Sequence, residues 1–300
     1  MNANKIENLF EKAVNEIEVR HFEESLKLLK KVLKINPNHA EALGLSGYVH
    51  SKLHFKYISK KEVFTLSKTA VELNSQSPIT QVCLGFAYNN LIQYKDALKC
   101  FQKALEIDPK FANAYVGMGC SFYYLNKNKK AINSFQRALD IDHTKVEALN
   151  GLGLGYRSSR KYKNELDCYQ KALEIDPKFA GAWFNLAIYT FRSIKYNKTI
   201  EYLQNAVKYD PELIEGWITL GLMYFIHLRD NSKAIECYNK ALRIDPNNTE
   251  VLCNLGEVYL AQKNYDEAIK CCQKAFEIDR KSYYAKSLLQ KLHFSGIPFI

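Results

Sequence analysis

An all-α solenoid of about eight antiparallel helix pairs, closed by a C-terminal capping helix, is the fold class that this 300-residue chain predicts. Three observations carry it. Similar segments recur with a period of about 34 residues: FQKALEIDPKFANAY begins at Phe101, YQKALEIDPKFAGAW at Tyr169 and YNKALRIDPNNTEVL at Tyr238. Small residues return at one register, as Ala13, Gly47, Gly85, Gly119, Gly153, Ala187, Gly221 and Gly256. Prolines punctuate the same cycle at Pro37, Pro109, Pro177, Pro211 and Pro246, with Ser75, His143 and Arg280 standing in elsewhere. Units of this kind bury their faces only against neighbours, so the stack offers a long surface and no enclosed reaction chamber.

The period places the units at 6–39, 40–77, 78–111, 112–145, 146–179, 180–213, 214–248 and 249–282, all within a single array. Each reads as two amphipathic helices, with apolar residues at three- and four-residue steps. In the third unit these are Thr80–Leu91 and Tyr94–Leu105. Gly85 is expected to let Ala97 of the partner helix approach closely, which must offset about 1 kcal/mol of lost helix propensity. Asp108-Pro109 stops the second helix, because proline lacks an N–H and restricts the residue before it. A second small column runs Val32, Ala70, Ala104, Ala138, Ala172, Ala206, Ala241 and Ala275. The second unit carries extra residues near His54–Lys60 and the seventh carries one near Leu228–Asn231. Loop insertions project outward and cost little closure entropy. Glu165 breaks the pattern, standing where other units place Ala97, Ala131, Ala234 or Ala268. A buried carboxylate needs a partner, and Arg157 or Arg160 is the expected one. Residues 283–294 supply the capping helix, and 295–300 form a short apolar tail that either folds back or docks into another copy.

These columns resemble the tetratricopeptide repeat. Trp217-x2-Leu220-Gly221-x2-Tyr224 and Trp183-x2-Leu186-Ala187 carry the first half of its pattern. Ala97-x3-Phe101, Ala131-x3-Phe135 and Ala234-x3-Tyr238 carry the second. The resemblance covers residues 6–282. It implies a right-handed superhelix whose first helices line a concave wall that receives a ligand. Several first helices carry a second apolar stripe besides the one used within the pair: Phe184, Ile188 and Phe191 in the sixth unit, Ile218, Leu222 and Phe225 in the seventh. The resemblance puts this stripe on the inner wall, together with Phe86, Asn89, Tyr123 and Tyr124. Asn90, Asn150, Arg157 and Arg192 are the polar groups available to fix a partner backbone or an acidic group. The alternative use of the same stripe is packing between neighbouring first helices.

Two family subtypes are disfavoured. A clamp for a C-terminal carboxylate needs Lys, Asn and Arg at inner positions where this chain has Phe10, Val14, Val82, Phe86, Val116 and Cys120. An asparagine ladder is interrupted, since Asn185 and Asn254 share their column with Cys83, Gly117, Gly151 and Thr219.

Composition excludes other classes. The hydrophobic fraction of 47% supports a core, and seven prolines exclude collagen-like or low-complexity sequence. No apolar run approaches the roughly 18 residues of a membrane span. The start MNANKIENLFEKAV lacks the pattern of a secretory signal, so a cytoplasmic location is expected. The net charge of +10 is spread out. The nearest clusters are Lys127, Lys129 and Lys130, then Arg157, Arg160, Lys161 and Lys163, so nucleic acid is a lesser alternative. Cys100, Cys168, Cys237 and Cys271 share one column and read as small apolar filler in a reducing compartment. His50 and His54 have metal-ligand spacing but no third ligand. No phosphate loop and no nucleophile–base constellation is present. The expected function is a non-enzymatic scaffold, without cofactor or metal, that binds a protein or peptide with bulky apolar side chains along its concave face. The alternatives are a self-assembling protein that uses its groove and tail, or an RNA-binding helical repeat.

Overall fold

The structure is a computed structural model that describes residues 2–281 and 283–294. The tail expected at 295–300 lies outside the described residues. Helices gather into two compact units, Met1–Ile175 and Asp176–Ile300.

The first unit holds five pairs: α1 (Asn2–Glu18) with α2 (Phe22–Ile35), α3 (Ala40–Lys52) with α4 (Lys60–Leu73), α5 (Pro78–Asn90) with α6 (Tyr94–Ile107), α7 (Ala112–Tyr124) with α8 (Asn128–Ile141), and α9 (Val146–Ser158) with α10 (Tyr162–Ile175). The second holds α11 (Ala180–Arg192) with α12 (Tyr196–Tyr209), α13 (Ile214–Ile226) with α14 (Asn231–Ile244), α15 (Thr249–Ala261) with α16 (Tyr265–Ile278), and the final α17 (Tyr283–Phe294). Among the described residues no helix is long and apolar enough to cross a membrane.

The corner inside each regular pair is short and turns through a left-handed residue: Arg20, Ile92, Asn126, Arg160, Ile194 and Lys263 all have φ near 60°. The irregular pairs differ where the sequence indicates. Leu53–Ser59 separate α3 from α4, with positive φ at both His54 and Phe55, and His227–Asp230 separate α13 from α14. His54 therefore lies past the end of α3, while His50 is buried within it, so the two share no helix face.

Between pairs the chain turns at an aspartate or asparagine. Asp108 is extended (φ −133°, ψ 99°) and its Oδ1 accepts the N–H of Lys110. Asp142, Asp176, Asp210, Asp245 and Asp279 accept from the residue two ahead in the same way. This side-chain turn needs no proline, which is why His143 and Arg280 serve in the proline column. Trp183 and Trp217 each donate their indole N–H to the proline carbonyl of the preceding turn, Pro177 at 2.9 Å and Pro211 at 2.8 Å.

The small column packs differently from the sequence expectation. A Cβ on Gly85 would meet the Phe101 ring at 2.5 Å, so the ring, and not Ala97, occupies the space that the glycine leaves. Gly117 of the next first helix faces the same ring, where a Cβ would lie 2.3 Å away. Phe101 is thus clamped between two glycines of successive first helices, fully buried. Phe135 repeats the arrangement between Gly119 and Gly151.

All eight cysteines are free thiols. Burial pushes Cys100, Cys168 and Cys271 up to about 11 and Cys237 to about 12, which keeps them protonated and inert. Glu165 is fully buried. Against the cost of burial, the Arg157 guanidinium on the paired helix α9 is held above its usual range, chiefly by its hydrogen bond to Tyr123 and least by Glu165. α17 packs on α15 and α16, with Ala285 buried beside Leu252, Cys253 and Ala275, and so covers the last pair.

Candidate functional site

Several neighbouring first helices touch within each unit: α3 with α5, α5 with α7 and α7 with α9, then α13 with α15, which also meets the cap α17, while α1 with α3 and α11 with α13 make no comparable contact. No two successive second helices make comparable contact among the described residues. A layer whose members approach more closely lies on the inside of a curve. By this criterion α3, α5, α7 and α9, and α13 with α15, lie toward the inner layer of their units.

In the second unit this layer is apolar. Phe184, Ile218 and Phe225 pack against the core of α11–α14 and are only half-exposed. Ile188 and Leu222 are half-buried between them, while Phe191 and Arg192 reach solvent. Phe191 is 40% exposed. It belongs to an aromatic group at the helix corners: its ring lies 6.1 Å from Tyr196 and 6.2 Å from His227, and Tyr196 stacks on His227 at 3.8 Å. Tyr196 and His227 were not expected at the site. The signal for Tyr196 is the column of Tyr94, Tyr162, Tyr196 and Tyr265 at the first position of second helices. His227 stands in the one-residue insertion, where the column alignment slips.

In the first unit the inner layer is mixed, with aromatic and polar side chains. Phe86 packs edge-on to Phe101 and against Tyr48 of the preceding first helix, so it serves helix packing. Asn89 accepts the hydroxyl proton of Ser121 at 2.8 Å across α5 and α7. Its Nδ2 and that of Asn90 are buried with no hydrogen-bond partner. Arg157 donates to the Tyr123 hydroxyl at 3.2 Å, across α9 and α7. Asn150 is half-buried on α9. Tyr124 is 60% exposed and stacks on Tyr94 with rings 5.2 Å apart.

A charged group joins these residues. Arg20 pairs with Glu147. Lys52, with Tyr48 a helical turn before it, lies in the field of both. The Lys52 ammonium is held above its usual range, first by Tyr48, against the cost of burial, and then by Glu147. Burial raises the Tyr48 phenol. Sequence periodicity carries no sign of this group, because its members come from three helix pairs at unrelated columns. Among the described residues no cluster of three or more His, Cys, Asp or Glu side chains is placed to hold a metal.

Comparison with known proteins agrees with this architecture. Profiles described as "Tetratricopeptide repeat" match residues 79–111 and 249–282, 146–179, and 168–192, and one described as "TPR repeat" matches 119–159 and 230–263. The N-terminal acetyltransferase A complex auxiliary subunit of Arabidopsis thaliana is 27% identical over 95 residues, which are 32% of this chain and 10% of that protein. Stress-induced-phosphoprotein 1 of Caenorhabditis elegans is 33% identical over 63 residues, 21% of this chain and 20% of that protein. The matched stretches thus span at most a fifth of these two relatives. Among solved structures, the APC/C hetero-tetramer Cut9–Hcn1 has a chain that superposes with a TM-score of 0.76 at 20% identity, covering 95% of this chain and 55% of that one. The repeat profiles fall on the helix pairs and on the glycine, alanine and proline columns that build them, and by them the chain belongs to the tetratricopeptide repeat family.

Proposed function

We propose that the chain is a non-enzymatic, cytoplasmic scaffold that binds a peptide or protein segment along the inner layer of its first helices, preferring bulky apolar side chains. The observation that supports this reading is the Phe191–Tyr196–His227 group, in which Phe191 is exposed, with the half-buried Ile188 and Leu222 on α11 and α13. Aromatic side chains on a pre-formed helical frame give large contact area at small ordering cost. A partner that inserts an apolar side chain beside Phe191 gains burial there. Arg192, exposed at the same corner, offers a cation to its backbone or to an acidic neighbour.

The test starts from one partner, identified by capture from native lysate with mass spectrometry and then mapped to a binding segment. Affinity for that segment is measured with the parent chain and with Phe191→Glu/Leu222→Glu. The expected result is unchanged helical content and a loss of at least about tenfold, or about 1.4 kcal/mol. Equal affinity for both chains sinks the inner-face reading. Binding of a single-stranded RNA oligonucleotide that falls steeply with salt would instead favour the nucleic-acid alternative.

A further inference from the structure

The outer side of the second unit holds a cavity of about 310 Å³ between α12, α13 and α14. It exists because α12 and α14 are second helices, which splay apart and leave a wedge over α13. Its floor is Trp217 and Leu220, and Lys208, Lys233, Lys240 and Glu236 stand around it. The floor is fixed: the Trp217 indole donates to Pro211, and Gln204 donates to the Tyr224 hydroxyl at 2.8 Å along one side. The Lys240 ammonium sits 4.5 Å from the centre of the Trp217 ring and is held by Glu236 at 2.7 Å. Lys233 lies over the Tyr224 ring at 5.4 Å and pairs with Asp230 at 3.2 Å.

The same register in the first unit holds a second cavity, of about 210 Å³. Tyr115 stands there at the repeat position of Trp217, Met118 at that of Leu220, Lys130 at that of Lys233 and Arg137 at that of Lys240. Lys130 again lies over an aromatic ring, Phe122, at 5.6 Å. No acidic side chain lines this second cavity. The intervening pairs lack the combination. The fifth has Leu149 and Asn164 at the positions of Trp217 and Lys233, and the sixth has Asn205 at that of Lys240. Aromatic residues of a first helix and two cations of its paired second helix thus line a cavity in both places, although the smaller one takes no residue from the preceding second helix.

We infer that the wedge over Trp217 is a second binding site, on the face opposite the first-helix layer, for an acidic peptide segment that inserts one aromatic side chain. The volume is near the lower end of the range of small-ligand pockets, roughly 300–1,000 Å³. It suits one bulky side chain with the rest of the segment lying outside. The inserted ring displaces Lys240 from the face of Trp217 or stacks beneath it, and flanking carboxylates replace Glu236 and Asp230 as partners of the lysines. The three lysines outnumber those two carboxylates, so carboxylates of the segment find cations to pair with through charge-assisted hydrogen bonds. This inference does not depend on the inner-face reading, and either can fail alone.

Trp217 is its own reporter, because the chain has only two tryptophans. Trp183→Phe leaves Trp217 as the sole source of indole fluorescence. An acetylated, amidated Glu-Glu-Phe-Glu-Glu peptide is titrated against this chain, with Gln-Gln-Phe-Gln-Gln as the uncharged control. Saturable change in Trp217 emission is expected for the acidic peptide. Affinity should be at least about tenfold weaker for the control peptide and for Lys208→Glu/Lys240→Glu, equivalent to about 1.4 kcal/mol. If Trp183→Phe does not fold, the titration is followed in the parent chain by the two indole N–H resonances in NMR spectra, the Trp217 signal being the one altered by Lys240→Glu. No change up to about 1 mM peptide, equal binding of both peptides, or equal binding to the double lysine variant overturns the site.

Discussion

Arg20, at the left-handed corner between α1 and α2, is ion-paired with Glu147 in the first turn of α9, 127 residues away in the chain. The pair ties the first and fifth helix pairs of one unit together. Its side chains are 29% and 32% exposed, so water screens it only in part. Exposed pairs contribute about 0–1 kcal/mol, and this one belongs at the upper end. Arg20→Ala and Glu147→Ala should each lower stability by about 1 kcal/mol, with a coupling of similar size in the double-mutant cycle. Urea denaturation of the four chains measures it. Additive single losses would mean that the pair is not formed in solution. Lys52 responds as well. Its charge is partly balanced by Glu147, so Glu147→Ala should lower its titration point, which NMR of the lysine side chains reads.

Phe101 between Gly85 and Gly117 gives the second prediction. On an exposed helix, Gly→Ala gains up to about 1 kcal/mol. Here the added methyl of Gly117→Ala would start 2.3 Å from the Phe101 ring. Overpacking a filled core costs roughly 1–3 kcal/mol, and the ring is fully buried on every side. Gly117→Ala should therefore destabilise, against its helix propensity. Trimming the ring in Phe101→Leu should recover part of the loss, so the double variant falls short of the sum by about 0.5 kcal/mol or more. Thermal melts of the three variants decide it.

How much of this was legible depends on the range of each interaction. Helix pairing, the two insertions and the cap follow from residues in one unit and the next, so a period of about 34 residues reveals them. The columns show that Gly85 must be small. They do not show which neighbour demands it, and the answer is Phe101, a turn beyond Ala97. The second stripe is equally ambiguous. Phe184 and Phe191 share it, yet one packs on the core and the other is open, because exposure depends on where the neighbouring first helix ends. Arg20 with Glu147 left no trace, since a contact between residues 127 apart is not a feature that a period of about 34 residues can display. The wedge over Trp217 was hidden for a related reason. It arises from the splay of second helices, which is a property of the stack and of no single unit.

Ile92 and Ile194 carry the third prediction. Both occupy the left-handed corner, with φ of 64° and 58°. A branched side chain there costs roughly 1–2 kcal/mol. Neither recovers much by burial, since they are 73% and 71% exposed. The equivalent corner between α7 and α8 uses Asn126, with φ of 57°. Asparagine tolerates this region. Ile92→Asn and Ile194→Asn should each stabilise by about 1 kcal/mol, raising the urea midpoint without altering the slope. A lower midpoint would show that these side chains gain more from contacts than they lose to strain.

His50 carries the last. It is buried in α3, its Nδ1 has no hydrogen-bond partner, and its ring meets Tyr57 edge-on at 6.0 Å. Burial is the main cause that holds its pKa below the ordinary 6.5, Lys30 of α2 adds to the effect, and Glu62 of α4 opposes it. The folded chain therefore keeps His50 neutral where the unfolded chain protonates it. Its contribution to stability is full above about pH 6.5, and it declines as pH falls through 6.5 toward the depressed folded value. His50→Leu removes the titrating group and the unpaired nitrogen together, leaving the six other histidines in place. Between pH 7.5 and 5.5 the parent chain should lose more stability than His50→Leu. Subtracting the two urea series cancels every other titration that the substitution leaves alone. The excess loss should be steepest just below pH 6.5, and parallel series would mean that His50 meets water in solution.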